Sequence, residues 1–224
     1  YSTSWGMTTR LVGAAVMAHG DDSGLVLPPK VAPVQVVIVP IFRDDESRAK
    51  VERFIDGWAP ELKRAGIRHR VDWRDERPGD KYAHWELKGV PLRLNVGGRD
   101  ADAGQVELVD RLTRQKISLP VSGLAERLQS ELDAFQKKLY ERALQFQREN
   151  TFELGTLDEV VAHFRERGGF VWVNWCGESE EEAQVKADAG GVTIRTIDPH
   201  GQPGAKCFVC GRPAKFRVSL AKAY

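Results

Sequence analysis

The sequence is short of several things, and each shortage excludes a class of protein. It holds 3 cysteines in 224 residues, an odd and small number that rules out a disulfide framework of the kind that staples small secreted domains. No apolar run approaches the ~20 residues that a membrane-spanning helix needs, so no membrane partner is expected. No basic-then-apolar leader precedes a small-residue cleavage site, which makes the cytoplasm the expected location. Neither sign of charge dominates, with 33 Lys and Arg against 32 Asp and Glu. Composition alone therefore makes no general case for nucleic-acid binding. Internal repeats and low-complexity tracts are lacking too. The chain opens on Tyr1 rather than Met, inside what reads as structured sequence, and this predicts further protein upstream.

What the chain has is enough apolar residues, 42% of the total, to build one large core or two smaller ones. Leu11, Val12, Ala15 and Val16 have helical spacing. A Gly- and Asp-rich break then leads into a Pro-rich connector at Pro28, Pro29 and Pro33, where a domain boundary is expected. Val34 to Val39 is a continuous apolar run, the pattern of a strand buried on both faces. Val51, Phe54, Ile55, Trp58 and Leu62 fall on one helical face. A polar strand follows over Arg68 to Trp73, then a helix over Lys81 to Lys88 stopped by Gly89. In the next strand Leu92, Leu94 and Val96 alternate with Arg93 and Asn95. Strands that alternate with helices predict an α/β fold with a βαβ arrangement and a mostly parallel sheet. One or two further strands are expected between Val106 and Leu119. A long amphipathic helix then carries Leu124, Leu128, Leu132, Phe135, Leu139, Ala143 and Phe146. The last third reads as a small α+β unit, with strands at Phe170 to Trp175, Val192 to Ile197 and Phe216 to Leu220 around a short helix at Glu180 to Ala189.

Three blocks carry a resemblance. Thr3, Ser4, Trp5, Gly6 and Arg10, followed by His19, Gly20, Asp21 and Asp22, resemble motif 3 of class II prolyl-tRNA synthetases. His84 to Arg93, followed by Gly97, Gly98, Arg99 and Asp100, resembles the anticodon-binding domain of that family. The closing Ala221, Lys222, Ala223 and Tyr224 resemble its archaeal/eukaryotic-like branch. The resemblance implies a C-terminal piece of a catalytic domain over 1–32, an anticodon-binding domain over 33–121, a connecting helix over 122–150 and a zinc-type domain over 151–224.

It also implies roles. Arg10 would stack on adenine and reach a phosphate of ATP bound with Mg2+, a task suited to a fixed planar cation. Thr3, Ser4, Trp5 and Gly6 would line the ATP and proline pockets, with Trp5 as an apolar wall. Glu86, Arg93 and Arg99 would read the guanines of the proline anticodon, since arginine offers a two-donor fork to guanine and a carboxylate accepts from its amino edge. Arg93 points away from the Leu92, Leu94 and Val96 side of its strand, which leaves it free for a ligand. Between Arg68 and Arg99, eight Lys or Arg meet five Asp or Glu, a modest local excess that attracts phosphates. The carboxylate of Tyr224 would reach back towards the active site.

The family places a structural zinc on four thiolates, and this sequence departs from that pattern. Cys176, Cys207 and Cys210 are present, but Glu181 stands where the fourth cysteine belongs. Either Glu181 or His200 completes the site, or the domain holds together without metal. Glu178, Glu180, Glu181 and Glu182 otherwise read as a solvated helix start favoured by the helix dipole. The implied activity is that of a proline–tRNA ligase acting in translation as a homodimer, which joins through the catalytic domain upstream. Its partners would be proline, ATP and proline tRNA. With motifs 1 and 2 absent, this piece alone should not form prolyl-adenylate. The alternative is a non-catalytic module that binds tRNA through its anticodon domain.

Overall fold

Each change in apolar periodicity along the chain marks a change of element. The computed structural model describes residues 2–201 and 206–222. Tyr224, assigned a reach towards an active site, lies outside the described residues. The chain divides into two units, Tyr1–Ala143 and Leu144–Tyr224.

In the first unit, α1 (Arg10–His19) buries none of its residues and leaves Leu11, Val12 and Met17 exposed. β1 (Val36–Ile41) is buried over its first five residues, as a continuous apolar run requires. α2 (Asp45–Arg64) begins at Asp44, whose side chain accepts from the Ser47 N–H at 2.8 Å. β2 (His69–Val71) is short. α3 (Pro78–Leu87) starts three residues earlier than the apolar pattern predicts, at a proline whose missing N–H costs nothing in a first turn. Gly89, at φ 73°, closes it. β3 (Leu92–Gly97), the short α4 (Gly98–Ala103), β4 (Gln105–Asp110) and β5 (Lys116–Pro120) follow.

The sheet order is β2-β1-β3-β4-β5. β1 pairs in parallel with β2 and β3, while β4 pairs antiparallel with β3 and β5. The βαβ half is thus parallel, as the alternation of elements implies. The other half turns back through connections too short for a parallel crossover, and the sheet is mixed.

One face carries the main core. Val36, Ile38, Leu92, Leu94, Val106 and Leu108 meet α2 and the buried stripe of α5 (Leu124–Glu149), which runs from Leu124 to Leu139. On the opposite face, Val37 and Val39 pack with Trp85 and Val90. That same face of β3, β4 and β5 presents polar residues. Asn95 Nδ2 donates to Glu107 Oε1 at 2.7 Å, and Lys116 lies 3.4 Å from the same oxygen. Asn95, grouped with Arg93 as outward-facing by alternation, is buried.

The second unit contains β6 (Thr151–Glu153), α6 (Leu157–Glu166), β7 (Phe170–Trp175), α7 (Ser179–Asp188), β8 (Val192–Ile197) and β9 (Phe216–Lys222). Its sheet order is β6-β7-β9-β8, with β6 and β7 parallel and the other pairings antiparallel. Val160, Phe164, Val171, Val173, Val218 and Leu220 centre its own core.

Candidate functional site

The polar half-face of the first sheet ends in a cavity of about 210 Å³ lined by Trp85, Glu86, Arg93, Arg111, Arg114 and Lys116, among others. Two elements aim the residues that the sequence singled out. Period-two alternation puts Arg93 of β3 on the side of α3, because Leu92 and Leu94 are held by the core. Glu86 comes from the last turn of α3, and Arg93 Nη1 donates to its Oε1 at 2.9 Å.

Arg93 is less free than its strand position suggests. Its side chain is only 11% exposed, and its guanidinium lies 3.8 Å from the centre of the Tyr82 ring. The Arg93 Nε is buried without a hydrogen-bond partner in the described structure. A desolvated donor beside a carboxylate acceptor is a pairing edge for a flat ligand that has both kinds of group. Tyr82, one turn before Glu86 on the same helical face, backs the Arg93 guanidinium from outside the cavity lining. Burial pushes the Tyr82 hydroxyl above its ordinary pKa, so it is neutral.

The site residues do not all meet. Arg99 sits in the first turn of α4, exposed and outside the cavity lining. Thr3, Ser4, Trp5 and Gly6 lie exposed in irregular backbone, with Trp5 94% exposed, and Arg10 opens α1 at the surface. Sequence reasoning missed Tyr82 and Arg111. The helical spacing from Tyr82 to Glu86 was a usable signal. For Arg111 there was none, since its partner Asp21 stands 90 positions away.

In the second unit, Cys176 follows β7, and Cys207 and Cys210 lie in a tight turn. Cys207 N–H donates to the Arg212 carbonyl at 2.7 Å, Gly211 N–H donates to the Cys207 carbonyl at 3.0 Å, and Gly211 takes φ 71°. The three sulfurs lie within 4.8 Å of one another, and Cys176 Sγ is 3.8 Å from Cys210 Sγ. That spacing fits the edge of a tetrahedron with Zn–S bonds of about 2.3 Å.

His200, an alternative fourth ligand, does not join this cluster of described residues. Its backbone N–H is held instead by Asp198 Oδ1 at 3.0 Å, on the exposed surface. Nor is Glu181 part of a solvated helix face. It is buried, its Oε1 pairs with Arg212, and its Oε2 has no hydrogen-bond partner in the described structure. Arg212 Nε also donates to Cys210 Sγ at 3.2 Å. The three sulfurs suit zinc in donor type and spacing, whereas Glu181, paired to Arg212, stands outside the cluster as His200 does among the described residues.

A protein family matches in each of the two units. Residues 35–131 match the anticodon binding domain, and residues 157–224 match the C-terminal domain of prolyl-tRNA synthetase. The whole chain is 43% identical to a proline–tRNA ligase of Thermococcus kodakarensis, and 42% identical to one of Porphyromonas gingivalis. It spans 47% and 45% of their lengths, about half of each. A crystal structure of prolyl-tRNA synthetase from Cryptosporidium parvum, complexed with L-proline and AMP, overlays 98% of the chain and 47% of its own, with a TM-score of 0.91 at 37% identity. The chain belongs to the prolyl-tRNA synthetase family, as its anticodon-binding and C-terminal part.

Proposed function

We propose that this chain is the tRNA-reading part of a cytoplasmic proline–tRNA ligase, with the Glu86–Arg93 cavity taking up a guanine of the proline anticodon. The observation that carries the reading is the desolvated Arg93 fork, paired to Glu86 at 2.9 Å and backed by the Tyr82 ring. Unpaired anticodon bases offer their edges and faces together, and both are needed for this kind of recognition. Arg114 and Lys116 at the cavity rim supply positive charge for phosphates. Arg99 lies beyond the other end of β3 and would contact the tRNA there, away from this cavity.

In the complete enzyme, Arg10 and the residues Thr3, Ser4, Trp5 and Gly6 would contribute to a site for proline and for ATP with Mg2+. Prolyl-adenylate and then prolyl-tRNA would form there, with the Tyr224 carboxylate nearby. The exposure of Trp5 and of the apolar face of α1 is consistent with a role shared with other parts of a dimeric catalytic domain. Cys176, Cys207 and Cys210 would hold a structural zinc, which would cross-link the turn at 207–210 to the end of β7.

Filter binding of this chain to proline tRNA tests the reading. Arg93→Ala should weaken binding by ~1–3 kcal/mol, and the loss should vanish on a tRNA whose anticodon guanines are replaced. Equal weakening on both tRNAs would refute the assignment of Arg93 to base reading.

A further inference from the structure

The Glu86–Arg93 pair is braced by a segment that belongs to a different part of the sequence. Arg111 directly follows β4, and its side chain is 3% exposed. Its guanidinium donates through Nη1 and Nη2 to the two carboxylate oxygens of Asp21, at 2.8 and 2.6 Å. Its Nε donates to the backbone carbonyl of Glu86 at 3.4 Å. With these donors engaged and the side chain buried, Arg111 is not available to read a base itself.

Asp21 lies just beyond α1, in a turn closed by hydrogen bonds of 3.0 and 2.9 Å between the backbones of Asp21 and Gly24. From there the chain crosses the end of α3. Leu25 N–H donates to the Leu87 carbonyl at 3.2 Å, and Leu27 N–H donates to the Gly89 carbonyl at 3.1 Å. Two glycines make this crossing possible. A Cβ on Gly24 would stand 2.6 Å from Leu87 Cα, and one on Gly89 would stand 2.6 Å from Leu25 Cβ. Arg114 adds a hydrogen bond to Ser23 Oγ.

We propose that Asp21 and Arg111 are positioning residues for the anticodon cavity. Asp21 fixes the Arg111 guanidinium, and Arg111 fixes the carbonyl of Glu86. The Glu86 carbonyl already accepts from the Gly89 N–H at 3.0 Å, and the Arg111 Nε contact at 3.4 Å adds a side-chain brace to a helix turn that frays easily. Glu86 lies in that turn, so anchoring its backbone holds its carboxylate at the distance that pairs with Arg93. A buried guanidinium needs a full negative charge beside it, which is why the partner is an aspartate rather than a neutral acceptor. The inference rests on the reading of the cavity as a guanine site. It adds that the segment following α1, next to the block that carries Arg10, is part of the anticodon-reading architecture.

The test is the ratio of affinities for proline tRNA and for a tRNA with its anticodon guanines replaced, measured by filter binding on this chain. A variant that merely unfolds in part lowers both affinities alike and leaves the ratio unchanged, so the ratio reports positioning. Asp21→Asn and Arg111→Lys should each reduce it about tenfold, within the range of one lost bidentate guanine contact. Asp21→Glu should recover part of it. Combining Asp21→Arg with Arg111→Asp should discriminate better than either single change. If Arg93→Ala abolishes discrimination while Asp21→Asn and Arg111→Lys retain it, the brace is overturned and the cavity reading stands. If Arg93→Ala also leaves the ratio intact, both fall together.

Discussion

Arg93 owes its value to a conflict that the fold leaves unresolved. Its strand position buries it, Glu86 neutralises it, yet its Nε has no partner among the described residues. An ammonium cannot reproduce this arrangement, because it neither stacks flat on Tyr82 nor presents parallel donors. Arg93→Lys should therefore bind proline tRNA about as poorly as Arg93→Ala, a result read from the same filter assay. Asp72 shows the opposite case, a carboxylate fully served by its neighbours. Burial alone would raise its pKa, but hydrogen bonds from Arg74 and from the Trp85 indole at 2.7 Å prevail and hold it below the ordinary range. Because its folded-state pKa is depressed, its contribution is complete above its ordinary pKa near 3.8 and fades as pH falls below that value. Asp72→Asn should cost about 2 kcal/mol at pH 7 in denaturant titration, and the difference from wild type should shrink below pH 4. The Glu86–Arg93 pair was legible in the sequence because both members sit in one block, on a helix end and the next strand. The Asp21–Arg111 pair was not, because only the folded chain brings residues so distant together.

At the scale of elements, length and periodicity decided what could be read. β1, α2 and α5 carry long uniform patterns, and their buried residues follow those patterns, except that the α5 stripe stops at Leu139 and leaves Phe146 exposed. α4, six residues long, and β6, three residues long, are too short to show a period, and neither was expected. α6 was also missed, although Thr156 and Glu159 form a capping box just ahead of Val160 and Phe164. Here the signal lay in the cap rather than in the apolar count. The Thr156 side chain accepts from the Glu159 N–H at 3.3 Å, and Glu159 Oε2 accepts from the Thr156 N–H at 3.0 Å. Thr156→Ala removes half of this reciprocal pair and should destabilise the second unit by ~1 kcal/mol, with Thr156→Ser close to neutral, as read by thermal melting.

For the whole molecule, the decisive feature is that its two units own separate cores. The main core of the first unit is built on Val36, Leu94 and Phe135, whereas that of the second is built on Val173, Val218 and Phe208. Asp72 sits in the first unit, and the three cysteines all sit in the second. If zinc cross-links Cys176 to the turn at 207–210, its binding free energy is part of the folding free energy of that unit alone. Two denaturation transitions are therefore expected, each answering to its own perturbation. Asp72→Asn should lower one midpoint and leave the other in place. Dialysis against a strong chelator should lower the second, Cys176→Ser should mimic that shift, and added zinc should restore only the unmutated protein. The ratio of affinities for proline tRNA and its anticodon variant should survive chelation, because Glu86, Arg93, Asp21 and Arg111 all belong to the first unit. A single transition that moves with both Asp72→Asn and chelation would show that the two cores unfold as one cooperative body.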